Sequence, residues 1–236
     1  MLRSALYLVA VTTVAAAAQN VVTSATLGQV QKAGQALAPA FSKEWTTVLN
    51  GQRKRVTALA AQLLQQQKTP ESKAALSAAI KKLNAALTKV NAAADTLQKQ
   101  QAQEINSLVA KYVALIKQRQ KATGTAAADE APVVQLRKNK ITLLDLWENR
   151  VLDINSQYRT AYRDTFKQAS GAAASKPAVR RAIRAAFTRL LSDAVTGQEE
   201  NITSLTAKQF PLVEKFALLA GRILLELVVA AQGALL

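Results

Sequence analysis

Three acidic side chains lie close together and form the chain's best arrangement for acid–base or metal chemistry. Asp145, Glu148 and Asp153 fall within nine residues of one predicted helix, and the first two are one helical turn apart. Two carboxylates at that spacing can share a hard cation. Arg150 and the basic segment 137–140 lie beside them, so ordinary helix ion pairs explain the same pattern. We therefore predict no catalytic residue and no metal ligand here.

The residue types that are absent exclude most catalytic chemistry. The chain of 236 residues contains no Cys and no His. Without Cys there is no disulfide scaffold, thiolate nucleophile or zinc–thiolate site. Without His there is no Ser-His-Asp triad and no imidazole ligand. The sequence contains no glycine-rich phosphate loop either. These absences predict a non-enzymatic protein that uses no cofactor.

Positive charge is the feature that most directly suggests a partner. Lys and Arg number 31 against 15 Asp and Glu, and residues 51–127 alone hold 13 basic and 3 acidic residues. The candidate basic patches on helix faces consist of Arg53, Lys54, Arg55, Lys81, Lys82, Lys89, Arg180, Arg181 and Arg184. Such faces concentrate anions, so the expected partner is an anionic membrane, an acidic glycan or an acidic protein. The alternative is a basic surface that only keeps the protein soluble.

Nucleic acid is the less favoured polyanion. Aromatic residues make up only 5% of the chain and do not alternate with the basic ones. Proteins that bind single strands stack bases on such aromatic side chains, and no recognition motif for a duplex occurs here. We therefore do not expect nucleic acid as the partner.

The first residues have the three parts of a secretory signal peptide. Met1-Leu2-Arg3 is short and positive, residues 4–18 are uncharged and mostly apolar, and the run ends in small residues at Ala16-Ala17-Ala18. The run is shorter than the about 20 residues of a membrane span. We predict that residues 1–18 are removed and that the protein is secreted; a buried N-terminal helix is the alternative. In a eukaryotic secreted protein, Asn201 would be a glycosylation candidate.

The elements that carry these residues are predicted to be helices throughout. Good helix formers dominate, and the chain has only 8 Gly and 5 Pro. Thr69 and Pro70 suit the cap and the first position of a helix. The apolar residues that follow are spaced alternately four and three apart, as in a coiled-coil seam. The seam consists of Leu76, Ile80, Leu83, Leu87, Val90, Ala94 and Leu97, and resumes with Ile105, Leu108, Tyr112 and Leu115. Gln101 takes a seam position at a stutter between these runs.

Breaks between the helices define the predicted architecture. The segment 122–132 is a linker between two long helices, and 170–176 is a second boundary. Turn signals at Asn50-Gly51, Thr196-Gly197 and Phe210-Pro211 predict that the remaining helices are short. We therefore predict an all-α fold in one domain, an elongated antiparallel helical bundle or coiled-coil hairpin with shorter covering helices.

Three functions are compatible with this reading. The first is a secreted, non-enzymatic bundle that binds an anionic surface, or an amphipathic or lipid ligand, through basic helix faces. The second is an extracellular structural coiled coil that forms homo-oligomers through its seam. The third is a secreted effector or toxin-like protein. The apolar segment 212–236 carries four charges and is interpreted as a buried helix, with a membrane-associated or oligomerising helix as the alternative.

Overall fold

The computed structural model describes residues 27–122 and 125–233, apart from the side chains of residues 127, 195 and 198–203. The predicted signal peptide, residues 1–18, lies outside the described residues. Within them all regular structure is helical and divides into α1 (Leu27–Gln65), α2 (Pro70–Lys121), α3 (Thr125–Ala128), α4 (Ala131–Ala172) and α5 (Pro177–Gly233). The predicted all-α bundle is confirmed.

The four long helices form a ring in which each helix packs against two neighbours. The neighbouring pairs are α1–α2, α2–α4, α4–α5 and α5–α1, and α2 also contacts α5 across the ring. Pairs run in opposite directions: along α4, Lys140 contacts Glu214 of α5, whereas the later Phe166 contacts the earlier Phe187. The 52 residues of α2 give a helix about 78 Å long at 1.5 Å per residue, so the bundle is elongated.

The start and the seam of α2 follow the sequence pattern. The Thr69 side chain accepts a hydrogen bond from the backbone N–H of Ser72 at 3.1 Å, and Pro70 is the first helical residue. Every predicted seam residue from Leu76 to Leu115 is buried, and so is Gln101. The predicted seam is thus the face that α2 turns toward the rest of the bundle.

Three predicted helix ends were wrong. Asn50-Gly51 lies inside α1, which has 39 residues, while Thr196-Gly197 and Phe210-Pro211 lie inside α5, which has 57. A proline inside a helix costs about 3 kcal/mol. Gln209 and Val213 are both buried on the two sides of Pro211, so continuing the helix keeps this stripe in the core. Burial along the stripe therefore outweighs the local turn signals.

The last part of α5 forms one side of the bundle and not its centre. Val213, Phe216 and Leu224 are buried, but Leu218 is 71% exposed and Val229 is 57% exposed. Over residues 212–233, the part of the segment 212–236 that the structure describes, the interpretation as a buried helix is correct for one face only. No helix within residues 27–122 and 125–233 is long and apolar enough to cross a membrane.

The buried apolar residues form two clusters that follow one another along the bundle. We name the two parts the basic half, residues 45–97 and 151–205, and the apolar half, residues 27–44, 98–150 and 206–233. The basic half contains the connections from α1 to α2 and from α4 to α5. In the apolar half, the buried Arg119 donates to the backbone oxygen of Ala126 at 3.0 Å and ties α3 to the end of α2.

Candidate anion-binding surface and adjoining groove

All nine predicted basic residues are exposed, and all nine lie in the basic half. They belong to three helices: Arg53, Lys54 and Arg55 to α1, Lys81, Lys82 and Lys89 to α2, and Arg180, Arg181 and Arg184 to α5. None of them forms an ion pair with a described side chain. The basic half holds 16 basic and 7 acidic residues, so the excess charge is open to solvent.

The predicted cluster at residues 53–55 is divided between two seams. Successive helical residues are about 100° apart, so three in a row cannot share one face. Arg53 lines a groove between α1 and α2. The Arg55 guanidinium instead covers Gly197 of α5, where a Cβ atom would lie 1.9 Å from its Nη1. The sequence predicts a turn at Gly197, but in the structure this glycine lies inside α5. The absence of a side chain there leaves room for Arg55.

The arginines of α5 form the most compact of the three groups. Arg180, Arg181 and Arg184 are exposed, whereas Ile183 and Phe187 on the same helix are fully buried. A basic face and an apolar stripe thus lie on different sides of this part of α5. The three guanidinium groups lie within little more than one helical turn and present a local cluster of positive charge to solvent.

The lysines of α2 lie near a shallow groove. Lys82 and Lys89 line a groove of about 520 Å³ between α2 and α4, together with small residues such as Ala86 and Ala161. Lys81 is exposed but does not line it. Lys82 and Lys89 are both exposed, so their side chains are available to an anion from solvent.

A second groove, between α1 and α2, contains polar groups from three helices. It encloses about 520 Å³. Its lining consists of Gln52, Arg53, Val56, Thr57, Asn84, Leu87, Thr88, Asn91, Ala92, Asp95, Tyr158 and Tyr162. The two tyrosines come from α4, which packs against α2. We call this groove the tyrosine groove.

The two tyrosine hydroxyls differ in their partners. Tyr158 donates a hydrogen bond to Asn91 Oδ1, whereas the Tyr162 hydroxyl has no hydrogen-bond partner among the described residues. Burial raises the pKa of Tyr158 to about 12, with the Arg53 charge lowering it and the Asp95 charge raising it further. Burial, and to a lesser degree the neighbouring Tyr158, also raises the pKa of Tyr162. Both hydroxyls therefore stay neutral in ordinary conditions.

Sequence reasoning did not identify the tyrosine groove. By three- and four-residue spacing, the sequence predicts an apolar stripe that runs from Leu144 through Tyr158 and continues at Ala161 and not at Tyr162. The structure buries Tyr162 at 1% exposure and leaves Ala161 partly buried. The 3.6-residue period of the helix does not decide between Ala161 and Tyr162, because two adjacent residues can both lie near the edge of an apolar stripe.

The remaining predicted features stay apart from these surfaces. Asn201 lies within α5, and its side chain is outside the described part of the chain. Asp145, Glu148 and Asp153 are exposed, and Asp153 accepts a hydrogen bond from Gln157 at 2.9 Å. Among the described residues, no group of three or more acidic side chains is placed to hold a metal ion.

Comparison of the chain with protein-family models, with curated proteins and with solved structures finds no match. The function must therefore be inferred from the residues and surfaces of this chain. The exposed basic groups and the tyrosine groove are the two features from which it can be argued.

Proposed function

We propose that this protein is a secreted, non-enzymatic helical bundle whose basic half binds an anionic surface, in the first place an anionic membrane. The observation that carries the proposal is the placement of all nine predicted basic residues, exposed and without described ion-pair partners, in one half of the bundle. Acidic glycans and acidic proteins present the same charge and compete for the same residues.

The mode of binding follows from what the helices already bury. The apolar stripes of all four long helices form the core, and among the described side chains of the basic half only Leu152 and Leu191 are large, hydrophobic and exposed. A helix that inserts into a lipid interface needs a free apolar face. We therefore propose that the folded bundle binds through charge at the headgroup level, which makes binding sensitive to salt. Capture of a lipid ligand by the helix stripes would require the bundle to open.

The structural alternative, a coiled coil that assembles with its own copies, has weaker support. Its warrant is the seam from Leu76 to Leu97, and these residues pack inside this chain. The seam is already occupied by neighbouring helices of the same molecule. Assembly would need another surface, so this function remains the second candidate.

Vesicle flotation with a charge-removal variant tests the proposal. The variant R180Q/R181Q/R184Q removes three exposed charges from the basic half. The matched control K111Q/K117Q/K138Q removes three exposed lysine charges from the apolar half. A basic residue near an anionic membrane contributes about 1 kcal/mol, so the first variant should partition on the order of 100-fold less strongly. The control should lose less than about tenfold.

Vesicles containing phosphatidylserine should bind the wild-type protein at low salt, and neutral phosphatidylcholine vesicles should not. Addition of a sulfated polysaccharide distinguishes a membrane from a glycan as the preferred anion. The proposal fails if neither type of vesicle binds at low salt, or if both triple variants lose the same amount of binding. The second result would mean that only overall charge matters.

A further inference from the structure

We propose that the tyrosine groove is a binding site for a small neutral molecule that carries several hydroxyl groups, such as a polyol or a single sugar unit. The groove lies in the basic half, but Arg180, Arg181 and Arg184 do not line it. Of the nine basic residues only Arg53 lines the groove, so the site for a neutral ligand can be tested separately from binding to an anionic surface. The proposal depends on the unpartnered hydroxyl at the floor of the groove and on the chemistry of the walls.

The Tyr162 hydroxyl is the observation that points to a ligand. The side chain is 1% exposed, lines the groove and has no hydrogen-bond partner among the described residues. Buried polar side chains in folded proteins are almost always paired with protein or with an ordered molecule. A neutral tyrosine hydroxyl both donates and accepts, so a ligand hydroxyl is its natural partner.

The walls provide further donors and acceptors at short range. Amide side chains come from Gln52, Asn84 and Asn91, and hydroxyl side chains come from Thr57 and Thr88. An amide has a carbonyl acceptor and two N–H donors; Asn91 Oδ1 already accepts from Tyr158 and the Thr88 hydroxyl already donates to the backbone oxygen of Asn84, so a ligand would use the other groups. A ligand with several hydroxyl groups satisfies both kinds, whereas a fatty acid chain would leave these groups without partners at a cost.

The charges of the groove cancel. Arg53 is its one cation and Asp95 its one anion, and both act on the same Tyr158. A net charge of zero favours a neutral ligand over a phosphate or carboxylate, because an anion attracted by Arg53 would be repelled by Asp95. The side chains of Val56 and Leu87 give an apolar strip against which the C–H face of a sugar ring can pack. The volume of about 520 Å³ lies within the usual range for small-molecule sites.

Saturation-transfer NMR on the full chain tests this site with two neutral probes, glucose and myo-inositol, and with decanoate as an amphipathic anion. We expect transfer to the ring protons of at least one neutral probe. Tyr162→Phe should weaken that binding at least about tenfold, as loss of a buried ligand hydrogen bond does. Tyr112→Phe removes a buried hydroxyl from the apolar half and should leave binding unchanged.

Thermal unfolding of the same variants separates lost binding from lost folding. The Tyr162 hydroxyl has no described partner in the free protein, so Tyr162→Phe should keep or raise the midpoint temperature while it weakens binding. The proposal is overturned if neither neutral probe binds or if Tyr162→Phe binds as well as wild type. It is also overturned if only decanoate binds, which would make the groove a lipid site.

Discussion

The two halves of the bundle share the same four helices but present different surfaces. The basic half carries all nine predicted basic residues. Of the eight large hydrophobic side chains that are exposed in the described part of the chain, the apolar half carries six, namely Val134, Ile141, Leu146, Leu218, Leu225 and Val229. The nine candidate residues and most of the exposed large hydrophobic side chains thus lie in different halves, although the halves differ little in total charge, with 16 basic and 7 acidic residues in one and 14 and 8 in the other. A pattern search at helical spacing detects faces, so it does not detect this separation.

The interiors differ as well. In the apolar half, aromatic rings meet edge to face, Phe41 with Trp147 at 5.3 Å and Tyr112 with Phe216 at 5.6 Å between centroids. Such contacts add about 0.5–1.5 kcal/mol to the burial of the rings. In the basic half, Phe166 and Phe187 meet at 6.0 Å in a tilted geometry, within a cluster that also contains Trp45, Tyr158 and Tyr162.

A layer of polar side chains lies where the two clusters meet. Trp45 donates to the buried Gln101 Oε1, and Trp147 donates to Glu104 Oε2 at 2.6 Å. Arg150 pairs with the same Glu104 at 2.8 Å. Both tryptophans of the chain therefore bond to polar side chains of α2 at this level. Gln101 is buried while Glu104 and Arg150 are partly exposed, and a polar layer of this kind penalises a shifted register of one helix against another.

The largest expected loss of stability comes from substitutions that create a cavity in the core, one in each half. Leu83→Ala in the basic half and Ile116→Ala in the apolar half should each lower the free energy of unfolding by about 2–5 kcal/mol. The four long helices run through both halves, so each variant should still unfold in one transition. Urea unfolding followed by circular dichroism and by tryptophan fluorescence checks both points. Two separate transitions would show that the halves fold independently.

The next largest loss of stability is expected from a substitution in the polar layer between the two clusters. Trp45→Phe leaves the Gln101 amide, whose Nε2 already has no described partner, without its remaining hydrogen bond. It should lower stability by about 2–3 kcal/mol. In the Q101L background the same change should cost at least about 1 kcal/mol less, because both polar partners are then gone. Equal costs in the two backgrounds would mean that the pair is not coupled across the layer.

Two glycines of α1 should respond in opposite directions. At Gly34, in the apolar half, a Cβ atom would lie 2.3 Å from Val109 Cγ1 of α2. Because valine is stiff, Gly34→Ala should lower stability by about 1–2 kcal/mol. Gly51, in the basic half, has nothing within 4 Å, so Gly51→Ala should raise stability by up to about 1 kcal/mol. If both variants lose stability, the packing of α1 against α2 is not closer in the apolar half.

The sequence was sufficient for the seam of α2 but not for the helix ends. The start at Thr69 and the burial of Gln101 follow from caps and spacing, which act locally. The continuation through Gly51 and Pro211 depends on packing against other helices, which no local pattern records. The tyrosine groove was also not predictable, because it needs Tyr162 of α4 beneath α1 and α2. Exposure of the basic residues followed directly from their positions opposite the apolar stripes.

The smallest effect concerns pH and separates the tyrosines of the two halves. Burial raises the pKa of Tyr158 from 10.0 to about 12, so in this interval the unfolded chain loses a proton that the folded chain keeps. The buried neutral hydroxyl contributes its full stabilisation below pH 10, and this contribution is lost as the pH approaches 12. The free energy of unfolding therefore falls as the pH rises through this interval. At half a pH unit above 10 this loss is still under about 1 kcal/mol.

The pKa of Tyr112 in the apolar half is raised as well, chiefly by burial. Denaturant unfolding across this pH range should therefore give a shallower slope for Tyr158→Phe than for wild type. If Tyr158→Phe leaves the slope unchanged while Tyr112→Phe reduces it, the alkaline sensitivity belongs to the apolar half, and the hydroxyls of the tyrosine groove are not shielded from solvent.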